Sequence, residues 1–261
     1  MDSRGWVELA HSPQIGAVPV PAEGWPHGAT LRVLSISSTN GALTGELILP
    51  PGYRRPAGHW ATQVEWYVLD GTLRVGTTVR GVGYYEFSPA GGNVEAWTSD
   101  QGATVLFLCR ARPDFLPEPG PAGMAGRSQL DSAAAPWVDG HIEGPPPGVV
   151  YKMLRHVPET LEMTWLFGVP PRWDYPRLEY HDGIEELYCI TGDIWLGNSG
   201  LMSPGSYLWR PPFITHGPFY SRTGTILLGW VPSLLVNHWP ASPASTVDEN
   251  IADYQRNQSK R

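Results

Sequence analysis

The first half of this 261-residue chain is repeated, block by block and in the same order, in its second half. Residues 65–71 match residues 186–192, and residues 83–89 match residues 205–211. Because the blocks keep their order over such a distance, the repeat predicts two copies of one fold. A length of 261 residues is enough for two domains of ordinary size, each with its own core.

The repeated blocks have the composition of β-strands. The 30 Gly and 27 Pro residues of the chain indicate many turns between short strands. Short strands joined by turns favour an all-β fold built from barrels. Runs rich in β-branched and aromatic residues, bounded by Gly or Pro, occur at residues 43–49, 65–69, 104–108, 186–190 and 225–230.

Side chains that could bind a metal are concentrated in the second half of the chain, at Glu179, His181, Glu185 and His216. Glu179 and His181 are two residues apart, so on a strand both side chains point to the same side. Glu185 returns to that side after an even step of four residues, and one concave face could therefore hold all three.

This arrangement resembles the two sequence motifs of the cupin family. In the first motif, His-x-His is followed by three or four residues, Glu, six residues and Gly, and His181, Glu185 and Gly192 match it. His216 falls where the second motif has its histidine, after a turn that contains Gly and Pro. Glu179 departs from the pattern, because it occupies the position of the first histidine. The resemblance implies a metal site with Glu179, His181, Glu185 and His216 as ligands.

The resemblance covers residues 30–112 and 150–235 and implies a bicupin, that is, two jelly-roll barrels in one chain. A segment rich in Pro, Gly and Ala separates them, with a short helix expected near residues 128–135. Thr246 and Glu249 form a capping-box pattern that predicts a short C-terminal helix. We expect an N-terminal extension (1–29), a barrel without metal (30–112), a linker (113–149), a metal-binding barrel (150–240) and a C-terminal helix with its tail (241–261).

The first copy of the repeat lacks most of the ligand positions. Three of the four counterparts are apolar, and His59 alone keeps a side chain that could bind metal. We therefore expect the first barrel to bind no metal and to act as a packing partner, a lid or a dimer surface. His59 is more typical of a solvated or hydrogen-bonded histidine than of a ligand. The counterparts of Glu179, His181, Glu185 and His216 are, in that order, His59, Ala61, Val64 and Val94.

The ligand set restricts the chemistry of the predicted site. Two neutral imidazoles and two carboxylates leave a divalent ion with a net charge near zero, which favours Fe(II) or Mn(II), with Zn(II) or Ni(II) also compatible. Glu179 has a second interpretation, in which it acts as a general base instead of binding the ion. Arg210 lies six residues before His216 and is either a clamp for a substrate carboxylate or enolate or a surface arginine.

Cupin sites usually keep coordination positions open for substrate or dioxygen, so the resemblance implies an enzyme. The leading hypothesis is a dioxygenase that cleaves an enolisable or hydroxylated compound, with Glu179 and Arg210 as catalytic residues next to the metal. A non-oxidative lyase, isomerase or hydrolase is the second hypothesis, because Glu179 could serve as its base. A barrel that binds a small ligand without catalysis is the third, since one fold hosts many functions.

Charge and composition limit the expected location and partners. A net charge of −7, without a stripe of Lys or Arg, argues against nucleic acid as a partner. No apolar stretch reaches the roughly 18 residues that a membrane helix needs, and the first residues lack the pattern of a secretory signal. We expect a cytoplasmic protein with Cys109 and Cys189 as buried thiols. The expected partners are a small-molecule substrate and a second copy of the chain. The homodimer is expected by analogy with other cupins.

Overall fold

The computed structural model describes residues 4–123, 126–139 and 146–259, which form mainly short β-strands and turns, with one α-helix near the C-terminus. The predicted fold class is confirmed, because the chain forms all-β jelly-roll barrels of the cupin type. No helix among the described residues has the length and apolar character needed to span a membrane. Parts of the predicted extension, linker and tail lie outside the described residues, at 1–3, 124–125, 140–145 and 260–261.

The strands contain between two and eight residues each. In chain order, the strands up to the predicted linker are β1 (Val7–His11), β2 (Val18–Pro19), β3 (Thr30–Ile36), β4 (Leu43–Leu49), β5 (Tyr53–Arg55), β6 (Gly58–Trp60), β7 (Val64–Gly71), β8 (Leu73–Val75), β9 (Thr78–Arg80), β10 (Tyr84–Ser88), β11 (Asn93–Val94), β12 (Trp97–Ser99) and β13 (Ala103–Cys109). They are followed by β14 (Phe115–Leu116), β15 (Ser128–Asp131), β16 (Val138–Asp139), β17 (Val150–Val157), β18 (Glu162–Val169), β19 (Trp173–Tyr175), β20 (Tyr180–His181), β21 (Glu185–Gly192), β22 (Ile194–Leu196), β23 (Leu201–Met202), β24 (Ser206–Arg210), β25 (Phe219–Ser221), β26 (Thr225–Val231) and β27 (Asn237–His238). Helix α1 spans Val247–Gln258, and a single turn of 3-10 helix spans Ser12–Gln14.

The chain divides into two compact units, which we call the first and the second barrel. The first barrel comprises Met1–Gly5 and Ser12–Ala135, and the second comprises Trp6–His11 and Pro136–Arg261. Each contains a seven-stranded sheet, ordered β15-β10-β7-β13-β4-β3-β2 in the first barrel and β1-β24-β21-β26-β18-β17-β16 in the second. The two orders correspond strand for strand, so the sequence repeat is also a repeat of topology.

Both seven-stranded sheets end in a strand from a segment that was expected to lie outside the barrels. Strand β1, in the predicted N-terminal extension, pairs with β24 of the second barrel. Strand β15, in the predicted linker, pairs with β10 of the first barrel, where Leu130 faces Tyr85. The short helix predicted near residues 128–135 is therefore wrong, since Ser128–Asp131 is an edge strand. Without strand β15, the backbone N–H and C=O groups along one edge of β10 would be unpaired.

The two barrels are filled differently at matching positions of the repeat. In the first barrel, Trp60, Trp66 and Trp97 are fully buried. The ring centroid of Trp97 lies 6.0 Å from that of Trp60 and 5.0 Å from that of Trp66. The second barrel has Leu187 at the position of Trp66, and Leu187 lines a cavity.

Helix α1 begins with the predicted capping box. Thr246 accepts a hydrogen bond from the N–H of Glu249, whose side chain bonds back to the Thr246 N–H, and the predicted C-terminal helix is confirmed. The buried Asn250 of this helix donates from Nδ2 to the carbonyl of Phe213 at 2.9 Å. The helix thereby holds the loop that leads to His216.

Both cysteines of the chain are buried thiols, as predicted. Cys109 ends β13, and Cys189 lies within β21. Burial raises the pKa of the Cys189 thiol to about 11. Since the thiolate is the reactive form, Cys189 is a poor nucleophile at neutral pH.

Candidate metal centre

Backbone pairing in the second barrel brings the predicted ligands together. Glu179 faces His216 across an isolated antiparallel bridge, in which the Glu179 N–H donates to the His216 carbonyl at 3.0 Å and the reverse bond measures 2.9 Å. The His181 carbonyl accepts a hydrogen bond from the Phe213 N–H at 2.7 Å, in the turn before His216. Glu185 is the first residue of β21. Two strands and one turn thus meet at the same place.

The side chains of Glu179, His181 and His216 converge on one point. One potential ligand atom from each lies within 4.8 Å of the other two, and all three residues are buried. Within the part of the chain that the structure describes, this is the one group of three His, Cys, Asp or Glu side chains close enough to share an ion. The cluster could therefore hold a metal.

The hydrogen bonds of the two histidines leave their Nε2 atoms available. His216 Nδ1–H donates to the Ile214 carbonyl at 2.8 Å, and His181 Nδ1–H donates to the Val236 carbonyl at 3.2 Å. Because a carbonyl can only accept, these bonds place the ring proton on Nδ1 and the lone pair on Nε2. His216 Nε2 is buried without a hydrogen-bond partner among the described residues, which is unfavourable unless an ion binds there.

Burial shifts the pKa of each of these three residues in the direction that favours the uncharged side chain. It lowers the pKa of His181, and together with the charge of Arg210 it lowers the pKa of His216 well below 6.5. Burial and the neighbouring charge of Glu185 raise the pKa of Glu179 to about 8. A divalent cation would stabilise the Glu179 carboxylate and accept the lone pairs of the neutral imidazoles, so the donor set fits a metal ion.

Two further side chains orient the Glu179 carboxylate. Asn237 Nδ2 donates to Glu179 Oε2 at 2.9 Å, and Tyr175 also forms a hydrogen bond with this carboxylate. Asn237 lies directly opposite His181 in the pair of strands β20 and β27. Sequence reasoning missed Asn237, because it lies outside both motifs. The local signal that could have indicated it is the polar pair formed with His238 after an apolar run.

Arg210 forms a buried ion pair beside the three candidate ligands. Arg210 and Glu185 are direct cross-strand neighbours in β24 and β21, and Arg210 Nη1 donates to Glu185 Oε2. Arg210 Nη2 donates to Glu8 of strand β1 at 3.0 Å. Burial acts to lower the pKa of Arg210, but the two carboxylates outweigh it and raise that pKa. Arg210 is therefore a fixed, buried cation, and the alternative of a surface arginine is wrong.

Glu185, the fourth predicted ligand, lies next to the cluster and is also bonded to Arg210. Its Oε1 is 3.8 Å from His181 Nε2, and its Oε2 is 3.7 Å from His216 Nε2. The carboxylate is thus close to both imidazoles, although Oε2 already accepts the Arg210 hydrogen bond. Ligation by Glu185 stays a prediction.

A cavity of about 60 Å³ lies beside the cluster inside the second barrel. Its wall is polar on the side of the ligands, where Arg210 and Asn237 also contribute. The remainder of the wall is aromatic and aliphatic, so a bound molecule would contact both the candidate ligands and apolar side chains. The apolar wall includes Tyr151, Trp165, Phe167, Trp173, Leu187 and Phe219.

The first barrel lacks this arrangement at the corresponding positions. His59 is buried and donates from Nδ1 to a backbone carbonyl at 2.9 Å. Asn93 faces His59 across a strand pair as His216 faces Glu179, so Asn93 and not Val94 is the counterpart of His216. The predicted alignment is wrong by one residue there, because the preceding turn is shorter in the first copy. That the first barrel binds no metal stays a prediction.

The pKa of Glu179 predicts how the stability of the metal-free protein depends on pH. The folded-state value is about 8 against an ordinary 4.5, so the folded protein keeps a proton that the unfolded chain releases between these values. This contribution to stability is present below pH 4.5 and is lost as the pH rises through 8. Glu179→Gln removes the loss, so the variant should become progressively more stable relative to the parent from about pH 5 to about pH 8.5.

Thermal unfolding of both proteins after treatment with a chelator measures this difference. The depressed pKa values of His181 and His216 have the opposite effect, since their contribution is lost as the pH falls below 6.5. Both proteins retain these histidines, so the effect cancels in the comparison. Parallel pH profiles for parent and variant would contradict a raised pKa at Glu179.

Solved structures with low sequence identity share this fold. A protein named as a candidate dioxygenase from Nostoc punctiforme PCC 73102 has a TM-score of 0.75 and 20% identity, and the match covers 92% of this chain and 88% of that one. A variant of oxalate decarboxylase from Bacillus subtilis has a TM-score of 0.59 and 11% identity, with 88% and 78% covered. The E. coli protein YlbA, of family DUF861, has a TM-score of 0.59 and 12% identity, with 85% and 89% covered. At these identities the likeness shows the fold alone.

Sequence comparison gives a family but no characterised relative. No curated protein matches the chain significantly. A family model described as a domain of unknown function, DUF4437, matches residues 16–229. Because this match spans more than half of the sequence, the chain belongs to the DUF4437 family.

Proposed function

We propose that this protein is a metal-dependent enzyme whose site consists of Glu179, His181 and His216, with Glu185 as a fourth ligand. The observation that carries the proposal is the buried His216 Nε2, which has no partner among the described residues and belongs to a donor set beside a cavity. Carboxylate-rich sets favour Fe(II) or Mn(II), and Zn(II) or Ni(II) suit the same ligands less well. When bound, such an ion would polarise the oxygens of a chelated substrate and lower its pKa.

The reaction that we propose is dioxygenation of a small enolisable or hydroxylated compound. Both atoms of dioxygen would enter the products as a carbon–carbon bond breaks, so no external reductant is needed. One protein of the same fold is named as a candidate dioxygenase, which supports this reaction class. In this chain, Arg210 keeps a positive charge at the site, Asn237 holds the Glu179 carboxylate, and the apolar wall limits access of water.

Oxygen uptake separates this reaction from its alternatives. Iron-loaded protein is expected to consume one dioxygen for each substrate molecule and to stop under strict anaerobiosis, because dioxygen is a reactant. An oxygen-electrode screen of diketones and hydroxylated aromatics measures this, with chelator-treated protein as the control. Turnover at an unchanged rate without oxygen would contradict the dioxygenase and leave the metal site in place.

A non-oxidative reaction is the second candidate, and the pKa of Glu179 favours it. Burial and the charge of Glu185 raise the pKa of Glu179 to about 8 in the metal-free site, and an ion held by the other ligands would lower this pKa toward neutral pH. A carboxyl group with a pKa near neutral pH can take up and release a proton, as a general acid or base must. In that role Glu179 would act on the substrate of a lyase, isomerase or hydrolase and leave the ion to the other ligands. Persistence of turnover in the anaerobic assay would select this candidate.

A further inference from the structure

We infer that the part of the substrate that does not contact the metal is small, uncharged and apolar, an inference that rests on the proposed function. It favours a compound with one chelating head and a short hydrocarbon body. It excludes dicarboxylates, sugars and polyols, which carry charges or hydroxyl groups at both ends. Two features of the second barrel lead to it: the balance of charge on the cavity wall and the side chains that make room for the cavity.

The charge on the cavity wall is already balanced. Among the described residues that line the cavity, Arg210 is the one Arg or Lys, and its two terminal nitrogens donate to Glu185 and Glu8. A second carboxylate on the substrate would therefore be buried without a free cation, which is strongly unfavourable. The Arg210 Nε–H has no hydrogen-bond partner among the described residues, so it can donate one hydrogen bond to the substrate. The positive charge of Arg210 is already shared by Glu185 and Glu8, so this N–H offers a further carboxylate no unpaired cation.

The second barrel has two leucines on the cavity wall where the first barrel has a tryptophan and a glutamate. Trp66 pairs with Glu86 across β7 and β10, and at the corresponding positions of β21 and β24 Leu187 pairs with Leu208. Trp66 and Glu86 are fully buried, whereas both leucines line the cavity. Relative to its twin, the second barrel thus has an open space in place of an indole and an apolar wall in place of a buried carboxylate.

The size and the lining of the cavity limit the hydrocarbon body. A volume of about 60 Å³ accommodates on the order of four or five water-sized groups. Glu179, His181 and Glu185 line the same cavity, so the chelating head takes part of this volume and the hydrocarbon body must be short. Trp165, Trp173 and Phe219 form flat, rigid parts of the wall and offer few hydrogen-bond partners. A branched alkyl group of a few carbons would fill this space, whereas a hydroxylated chain would leave polar groups unpaired.

A series of hydroxamates with one chelating head and different tails tests the inference. The protein is loaded with redox-inert Zn(II), its metal content is measured, and binding is followed by titration calorimetry. Isobutyrohydroxamate should bind roughly tenfold more tightly than acetohydroxamate, because it buries two further carbons. Succinic monohydroxamate, whose tail ends in a carboxylate, should bind at least about tenfold more weakly than acetohydroxamate.

Two substitutions at Leu187 locate the tail in the cavity. Leu187→Trp copies the first barrel and should remove the advantage of isobutyrohydroxamate while the zinc content stays unchanged. Leu187→Ala enlarges the space and should increase the affinity for benzohydroxamate, which has a larger tail. If the tryptophan variant does not fold, the affinity of the alanine variant for benzohydroxamate alone tests whether the tail lies in the cavity.

The outcomes separate the inference from the proposed function. Equal or tighter binding of succinic monohydroxamate to the parent would overturn the inference and leave the metal enzyme standing. An isobutyrohydroxamate preference that is the same in the parent and the folded Leu187 variants would also overturn it, since the tail would then lie elsewhere. Failure of the parent to bind Zn(II) would overturn the proposed function and the inference together.

Discussion

His216→Ala is expected to reduce bound metal from about one ion per chain to nearly none and to abolish turnover with it. Loss of a residue that merely supports a ligand weakens metal binding roughly 10- to 100-fold, and loss of a ligand should cost more. His216 supplies an Nε2 lone pair that no described group satisfies, so alanine removes a donor atom from the site. It also removes the Nδ1–H that donates to the Ile214 carbonyl, which is why the folding of the variant has to be checked as well. Elemental analysis of protein purified without chelator measures the metal content.

The first barrel provides a matched control for this variant. His59→Ala removes a buried histidine at a ligand position of the twin, where the ring donates to a backbone carbonyl. This control should retain the full metal content, and circular dichroism should show that both variants are folded. If His216→Ala retains its metal, or if the His59→Ala control loses it, the proposed metal site in the second barrel would be contradicted.

Arg210→Met is expected to destabilise the metal-free, chelator-treated protein by about 3–5 kcal/mol, because it leaves a buried carboxylate without its cation. Glu185 is buried, and its carboxylate accepts a hydrogen bond from Arg210. Glu8 also loses its partner, but its side chain keeps 31% of its surface exposed and can be hydrated. Urea denaturation followed by tryptophan fluorescence measures the loss, provided that the transition of the second barrel is resolved.

The twin barrel shows which substitution should compensate. Val64 and Ser88 face each other in the first barrel where Glu185 and Arg210 do in the second. The double variant Glu185→Val with Arg210→Ser copies that pair, and it should be more stable than Arg210→Met alone because no buried charge is left unpaired. If the double variant is as unstable as the single one, the loss comes from packing and the ion pair is not its cause.

The β-strands and the placement of Glu179 and His181 could be predicted from local patterns, whereas His216 was placed by the resemblance to the cupin motifs. Strand alternation holds within any strand whatever its neighbours are, so the spacing of Glu179 and His181 sufficed to place them on one side. The repeat then extended the prediction from one half to the other. It failed by one residue at Asn93, since the length of a turn is not part of the repeated pattern.

The partners of Arg210 could not be predicted, because they depend on which strands pair. Glu8 and Arg210 are separated by 202 positions in the sequence. A five-residue strand such as β1 has no feature that distinguishes a barrel edge from an extension, since its pairing is determined by tertiary packing. The same holds for β15, whose residues were expected to form a short helix. The sequence alone therefore leaves open whether Arg210 is a surface residue or a buried one.

Strand β1 belongs to the second barrel although it precedes the first barrel in the sequence, so truncation would separate it from its neighbours. A fragment that begins at Pro136 would contain every candidate ligand and yet lack the strand that carries Glu8. The exposed border of β24 would then recruit strands from other molecules, a common origin of insoluble protein. The second barrel is thus encoded in two separate stretches of the gene, and expressing it in isolation would require grafting residues 6–11 onto the fragment or adding them as a peptide.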